Sequence, residues 1–479
     1  MSNPKRLHPA AMIFTVISSL RQFIVAALPL IILSIGEGPF IYGVIGVAVF
    51  SILLIGYGIL SWFRFTYVLE EDQIRIEQGV LIRKKRSISK SRIQSIDLTQ
   101  GVIHRIFGLT KVQIETAGSD RDVDASLSAV TFDEGKYLHE QLKQVNEPNI
   151  KQQQNVNQPE DPSIFPSRSI SVKRLIIAGS TSGSFGVILS LFVVFFSELE
   201  SVIPATVYQE VTGWIVVQAI EILVGLAIMV LLFLWGIGIL GTVIKYGQFT
   251  ITRYEKELYI TRGLLEKRQM TIPLKRIQAV GVKQSLVRQP LGYTTVFVEI
   301  AGGVQDNNKN TETLLFPLLR KSEVVAFLQE ILPEYEQVPT DFIQVPKRAL
   351  PYYLLRTAFV PLVAVIVVAV LGLEWIWIPL VILAIACSLG FARFQTAGFH
   401  LSEQQLTLQM RLFSKETIFV KQRRVQSLEI KQHILHRKQQ LANVSPSILN
   451  NFGGKHYLVQ ELNQSDVERI ADWYSYQKD

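Results

Sequence analysis

The sequence predicts an integral membrane protein of mixed class, in which three transmembrane helix hairpins, six helices in all, alternate with three β-rich domains that each end in a helix. Three observations carry this. Of the 479 residues, 48% are hydrophobic and the mean hydropathy is +0.27, which is greasy for a soluble protein. Lysine and arginine are excluded from three long windows. A short Arg-aliphatic-Gln element recurs three times.

The windows come first. Lys and Arg make up 48 residues, yet none falls in 22–63, 175–244 or 357–392, which together hold 148 positions; an even spread would put about 15 there. Glu37, Glu198, Glu200, Glu210, Glu221 and Glu374 do lie in these windows, and all but Glu221 fall in breaks between apolar runs. A span needs about 20 apolar residues. Each window holds two spans, read as 14–35 and 40–62, 175–196 and 213–241, and 355–372 and 375–393. Because basic residues stay on the inner side, the loops without Lys or Arg face outward, and both termini and every soluble domain are expected in the cytoplasm of a multi-pass cell-membrane protein. The N-terminal segment with Lys5 and Arg6 lacks a small-residue cleavage site and reads as a retained anchor. The net charge of +8 is explained by this placement and does not require a nucleic-acid partner; the basic runs also lack interleaved aromatic platforms.

The repeat organises what remains. Its copies are Arg92-Ile93-Gln94-Ser95-Ile96, Arg276-Ile277-Gln278-Ala279-Val280 and Arg424-Val425-Gln426-Ser427-Leu428. Thirteen residues upstream stand Gly79 and Gly263, and sixteen downstream Gly108 and Gly292; the third copy has Arg411 and Gln440 there, so its turns must be built differently. Alternation at Ile74/Ile76, Leu258/Ile260 and Val296/Val298/Ile300 marks strands with one buried face. Each copy closes with a helix-like segment, 131–145, 321–331 or 465–476; Thr131/Glu134 and Ser465/Glu468 have capping-box spacing. The expected division is hairpin one over 1–63, a domain over 64–146, a linker over 147–168, hairpin two over 169–244, a domain over 245–334, a linker over 335–348, hairpin three over 349–393 and a domain over 394–479. The first linker is rich in Gln, Asn and Pro, and 305–313 reads as a polar loop tip.

On the repeated Arg-aliphatic-Gln element, the glycines at fixed offsets and the hairpin-then-domain order, the chain resembles the bacterial PH-domain membrane proteins of the YdbS/YdbT type, and its three units and six helices look most like the YdbT type. The resemblance implies a PH-like β-barrel with a C-terminal helix for each cytoplasmic domain. It implies no catalytic residues and no cofactor. It implies a smaller membrane protein with one similar unit as partner, and a place in envelope maintenance, envelope stress or tolerance of membrane-active compounds.

The candidate contact residues are basic. Arg83, Lys84, Lys85, Arg86, Lys90 and Arg92 place six cations in ten residues; sparser runs follow at Lys267, Arg268, Lys275 and Arg276, and at Lys421, Arg423 and Arg424. Near an anionic inner leaflet each contributes about 1 kcal/mol, without selecting one headgroup. The bland alternative is a solvated strand face on domains that are basic through the inside-positive bias. Gln94, Gln278 and Gln426 recur at one position, which suits an amide holding backbone groups. The run from Gly179 to Gly186 has small residues four apart that let helices approach. Arg21 interrupts the first span and is expected to snorkel. His433 and His436 lack the further ligands of a zinc site. Cys387 is the only cysteine, so no internal disulfide forms. With no motif for nucleophilic, metal or phosphate chemistry, the sequence predicts a non-enzymatic scaffold or adaptor that binds partner membrane proteins or the inner leaflet. The alternative is a transporter or lipid-translocating protein using the six helices, against which stands the scarcity of ionisable residues in helices two, four, five and six.

Overall fold

The computed structural model describes residues 4–34, 40–116, 125–143, 165–183, 186, 189–190, 220–301, 312–372, 374–450 and 454–475, excluding the side chains at 24–34, 40–44, 94, 143, 220, 221 and 223. Most of the first linker, most of the 305–313 loop, the outer part of hairpin two and Glu37, Glu198, Glu200, Glu210 and the Glu221 side chain lie outside the described residues. Each unit begins with a feature that the hydropathy pattern does not reveal. A short strand precedes the helix hairpin: β1 (Lys5–Arg6) before α1 (Ala10–Ser34) and α2 (Phe40–Phe63). It pairs antiparallel with β2 (Thr66–Leu69), the first strand after the hairpin. The hairpin is therefore an excursion between two paired strands of a sheet. A two-residue strand carries no periodicity to read.

Unit one continues with β3 (Gln73–Gln78) and β4 (Lys84–Ser89), a 3-10 turn at Lys90–Arg92, β5 (Ile93–Gln100), the short helix α3 (Val102–Ile106), β6 (Leu109–Thr116), β7 (Ala125–Thr131) and α4 (Phe132–Lys143). Unit two repeats this order with β8 (Ser167–Ser169), α5 (Val172–Ser180), α6 (Ile220–Tyr246), β9 (Thr250–Arg253), β10 (Glu257–Arg262), β11 (Lys267–Pro273), β12 (Ile277–Gln284), β13 (Tyr293–Ile300), β14 (Glu312–Arg320) and α7 (Val324–Ile331). Unit three has β15 (Ile343–Gln344), α8 (Leu350–Val370), α9 (Trp377–Thr396), β16 (Gly398–Leu401), β17 (Gln405–Arg411), β18 (Lys415–Lys421), β19 (Val425–Lys431), α10 (Ile434–Lys438), β20 (Leu441–Ile448), β21 (Lys455–His456), β22 (Val459–Asn463) and α11 (Gln464–Ser475). The 335–348 segment expected as a linker buries Tyr335 and Val345 and supplies β15.

Among the described residues four stretches are long and apolar enough to cross a bilayer: Ile45–Phe63, Val224–Tyr246, Lys347–Val370 and Glu374–Thr396. The helix Ala10–Ser34 runs 25 residues beside α2, and α5 packs on α6. Gly179 lets that last pair approach, since a Cβ there would meet the Ile239 backbone at 2.9 Å. Arg21 is exposed on α1, as a snorkelling side chain requires.

The sheets do not respect the unit boundaries. Within a unit the chain turns a corner at the 3-10 segment, and the strands on either side of it belong to different sheets. The sheet orders are β1-β2-β3-β4, then β7-β6-β5-β11-β10-β9-β8, then β14-β13-β12-β18-β17-β16-β15, and finally β19-β20-β21 with β22 on β20. The expected separate barrels are thus joined in series, with the last strands of one unit continuing into the first strands of the next. Both junctions share one register: Gln100 faces Lys267 and Gln284 faces Lys415. The second is longer, six residue pairs from Ala279↔Val420 to Gln284↔Lys415, and within unit two Gly281 leaves room for the Phe297 ring of the paired strand, which a Cβ would meet at 2.1 Å.

Each unit nevertheless closes its own core between its two half-sheets and its last helix. Ile74, Ile96, Val112, Leu127 and Leu138 illustrate this in unit one, Ile251, Val280, Val298 and Leu328 in unit two, and Phe399, Leu408, Val444 and Ile470 in unit three. Unit three is complete despite its missing glycines. Gln440 takes the left-handed backbone (φ 51°) that Gly108 and Gly292 adopt in the other units, and the β17–β18 turn needs no such residue because Arg411 pairs directly with Lys415. At Gly263 the backbone has φ 103°, and an added Cβ would lie 1.9 Å from the Glu266 carbonyl oxygen. Gly263→Ala is therefore expected to cost at least about 1 kcal/mol, read as a lowered melting temperature in detergent, whereas Gly183→Ala, with open space around it, leaves the melting temperature unchanged.

Candidate functional site: the helix-proximal ends of the units

The ends of the domains nearest the helices are built from two loops per unit, and both carry apolar side chains that the fold leaves uncovered. The first is the hairpin tip before the third strand. Eleven residues ahead of each repeat arginine stand Leu81, Leu265 and Phe413, with Ile82, Leu264 and Leu412 beside them, all exposed and Leu81 at 92%. The second follows the repeat strand: Val102 and Ile103, Leu286 and Val287, and Ile434 and Leu435, again exposed in all three units. Ile106, Phe107 and Leu291 extend these patches. Apolar residues in two loops of every unit are not scattered surface.

Contacts place these loops beside the ends of the helices. The Gly263 N–H donates to the Gly247 carbonyl (2.8 Å) and the Leu264 N–H to the Ile244 carbonyl (2.9 Å), at the end of α6. The Arg411 Nε donates to Thr396 Oγ1 (2.9 Å) at the end of α9. On the second loops, the His104 ring stacks on Phe14 of α1 at 3.9 Å between centroids. The Arg288 guanidinium donates to the Ala178 carbonyl (3.1 Å) and Thr181 Oγ1 (2.9 Å) of α5, and His436 lies edge-on to Tyr352 of α8 at 4.9 Å. The opposite end of each unit carries the 3-10 turn with the repeat arginine.

Residues 16–146, 201–335 and 353–478 match the family model described as bacterial PH domain. The chain belongs to that family. Its matched segments start inside the helix pairs, which accords with a hairpin that is part of the unit. The UPF0699 transmembrane protein YdbT of Bacillus subtilis (strain 168) is 32% identical over 494 aligned residues, covering 100% of this chain and 99% of that protein.

Within these bacterial PH units the predicted basic residues separate into three environments. Arg83, Lys84, Lys85 and Arg86 are exposed on and beside the tip of unit one, with Glu77 bridging Arg83 and Lys85; Lys267 and Arg268 flank the equivalent tip, the latter paired with Glu266 at 3.1 Å. Lys90, Arg92, Lys275 and Arg424 sit at the opposite end, where Lys90 is only 6% exposed and does not form part of a contact surface. Arg276, Lys421 and Arg423 face the neighbouring unit: Arg276 pairs with Glu115 at 3.5 Å, Arg423 with Glu334 at 2.8 Å, and Lys421 lies over the Tyr335 ring. Positive charge by itself does not distinguish a lipid partner from an acid on the next unit.

The junctions hold acids that the sequence reading passed over. Glu115 and Glu299 stand twenty-three residues after their repeat arginines and both are buried. Glu115 meets Arg276 of unit two; Glu299 meets Lys455 of unit three and accepts from Asn450 Nδ2 at 3.1 Å. Beside Glu115, burial pushes the Asp97 carboxyl up to about 7, with the Glu115 charge adding to the shift and a hydrogen bond from the Thr271 backbone opposing it. A recurring amide was also missed: Gln100, Gln284 and Gln432, each eight residues after the repeat arginine, donate to the Leu109, Tyr293 and Leu441 carbonyls. Of the predicted glutamines, Gln278 is buried and donates to the Arg276 carbonyl (3.1 Å), Gln426 is exposed, and the Gln94 side chain lies outside the described residues. His433 caps α10, accepting from the Leu435 N–H at 3.3 Å.

Unit three is clamped to its helices by an ion pair whose acid is buried. Glu461, fully buried, receives Arg356 of α8, with His436 Nε2 at 3.8 Å. Removing one partner of such a pair strands the other charge. Arg356→Met is expected to destabilise the full chain by about 3 kcal/mol, and the double change Arg356→Met/Glu461→Met by less, in paired thermal melts. At the first junction, Asp97 has an ordinary value of 3.8 and a folded value near 7; its contribution to stability is full below about 4 and is lost as the pH rises through 7. The melting temperature is expected to be higher at pH 5 than at pH 8, and Asp97→Asn to shrink that difference.

Proposed function

We propose that this protein is a non-enzymatic scaffold of the cell membrane, its bacterial PH units lying in the cytoplasm against the inner leaflet and presenting a continuous surface to partner membrane proteins. The observation that carries this reading is the recurrence, in all three units, of exposed apolar tips beside the helix ends, each flanked by cations. Apolar side chains that enter the headgroup boundary, with Lys and Arg left among the phosphates, describe interfacial binding. Serial sheets then hold the three contacts in one row, so that the membrane is a working surface for the domains as well as their anchor. The family resemblance adds a role in envelope maintenance or tolerance of membrane-active compounds. The transporter alternative gains nothing from the groove of about 490 Å³ between hairpin two and Val287: the Ser180, Thr181 and Ser182 hydroxyls that line it donate to carbonyls of their own helix, and the facing wall of Ile228, Leu231, Leu232 and Trp235 is largely apolar.

The test uses the full chain with Cys387 replaced by Ala, reconstituted in phosphatidylglycerol-containing liposomes. A bimane label at Leu81→Cys, Leu265→Cys or Phe413→Cys is expected to be quenched several-fold more by brominated lipid than the same label at Ser91→Cys, at the far end of unit one. Equal quenching at the four positions would overturn membrane contact by the tips.

A further inference from the structure

Hairpin three differs from the other two where it joins its domain. The strand residues Gln344, Ser169 and Arg6 pair at the same place beside the strand that follows each hairpin; twelve positions after them stand Arg356 in unit three, Thr181 in unit two and Ser18 in unit one. Thirty-one positions before the repeat arginines stand Arg393, Lys245 and Ser61. A third position is set by a bulge in the strand that closes each unit, just before Leu462, Leu319 and Val130. Leu318 and Ala129 fill it with core side chains, whereas unit three puts Glu461 there, fully buried and with a left-handed backbone (φ 54°). Unit three therefore gathers two guanidinium groups and a carboxylate where unit one has two serines and an alanine.

These charges do not balance. Arg356 of α8 pairs with Glu461 and donates to Gln460 Oε1. Arg393 of α9 lies within electrostatic reach of Arg356, Tyr353 and Glu461, so the one acid that acts on it among the described residues is already taken. Its Nε is buried without a hydrogen-bond partner among those residues. The two helices are close here: a Cβ on Gly390, one turn before Arg393, would meet the Tyr353 carbonyl oxygen at 3.0 Å. His436, 3.8 Å from Glu461, supplies no acid, and burial holds its pKa below the ordinary 6.5. The cluster thus carries one net positive charge at neutral pH, at the domain end of a membrane hairpin.

We propose that Arg393 and Arg356 form a site for the phosphate of one anionic lipid headgroup, held between α8 and α9 where they meet the third domain. Arg356 is exposed and Arg393 half-buried, while Glu461 is fully buried, so an anion arriving from the bilayer meets donors rather than the carboxylate. A guanidinium offers phosphate two parallel N–H donors in a fixed fork, and basic pockets between membrane helices suit headgroups. An arginine without an acid is costly in a membrane helix; the phosphate offsets that cost, and a zwitterionic headgroup brings no net charge to do so. The site goes beyond the scaffold reading, since it holds a single lipid through helix residues and does not use the apolar tips.

Native mass spectrometry of the full chain in mild detergent tests this, with phosphatidylglycerol, phosphatidylethanolamine and inorganic phosphate as separate probes. The unaltered chain is expected to hold one phosphatidylglycerol about tenfold more tightly than phosphatidylethanolamine. Arg393→Gln abolishes that preference, and Arg393→Lys, which keeps the charge and loses the fork, weakens it in part. Lys245→Gln, at the same position of hairpin two, leaves it unchanged. Equal binding of the two lipids, an intact preference in Arg393→Gln, or an equal loss in Lys245→Gln would each overturn the proposal. Displacement of the lipid by excess inorganic phosphate would overturn it in favour of a soluble phosphate ligand. Should Arg393→Gln lower the melting temperature of the lipid-free chain, Arg393→Lys decides, and a preference equal to that of the unaltered chain contradicts the site. None of these outcomes bears on lipid quenching at the tips, so the two readings fail separately.

Discussion

Everything in this molecule follows from how its strand edges are satisfied. A unit whose sheet breaks at a corner leaves the backbone groups of two strands without partners inside the unit, and backbone donors and acceptors away from water must be paired. Here four of the six corner edges are met by the neighbouring unit, β5 by β11 and β12 by β18. The domains are consequently sections of one array in which the sheets are shared and each unit has its own core, with Phe419 reaching into the core of unit two and Ala279 and Phe297 into that of unit three. The helix hairpins inherit that order, since each leaves and re-enters a sheet between paired strands such as β8 and β9.

Two kinds of charge serve this arrangement, and they work at different places. Between units, acids are buried against bases, as in Glu115 with Arg276 and Glu299 with Lys455. Such pairs add specificity more reliably than stability, because desolvation offsets the attraction. The raised pKa of Asp97 is one consequence of crowding a second acid into the first junction. At the helix-proximal ends cations flank apolar tips, fully exposed at Arg83–Arg86 of unit one, an arrangement that suits an interface with headgroups above and acyl chains below.

Much of this was legible in the residues. The exclusion of Lys and Arg from three windows picked out the four apolar stretches of crossing length among the described residues, since a bilayer tolerates basic residues only at its borders, and the spacing around Arg92, Arg276 and Arg424 picked out the three units that match the family model. Glycine positions indicated turns where positive φ is needed, although Gln440 fills one of them with a side chain that only its surroundings permit. What stayed hidden depended on partners far along the chain. The strand β5 pairs with residues some 170 positions away, and its alternation looks the same whether its edge is open or filled. The run at Lys421, Arg423 and Arg424 resembled the run at Arg83 to Arg86 by charge alone, but Glu334 and Tyr335 claim the first two of its cations. The tip residues Leu81, Leu265 and Phe413 did recur at one offset, and an apolar residue in a polar turn was the signal to follow.

Shared sheets make a direct demand on the backbone of the purified chain. Amide hydrogen exchange in detergent reads it residue by residue: protected amides in β5, β11, β12 and β18, comparable with those of the interior strands β6 and β13, together with fast exchange along the outward edges of β4 and β19, are the predicted result. Exchange in β11 and β18 as fast as in β4 would mean that the units stand apart, and would contradict the serial array.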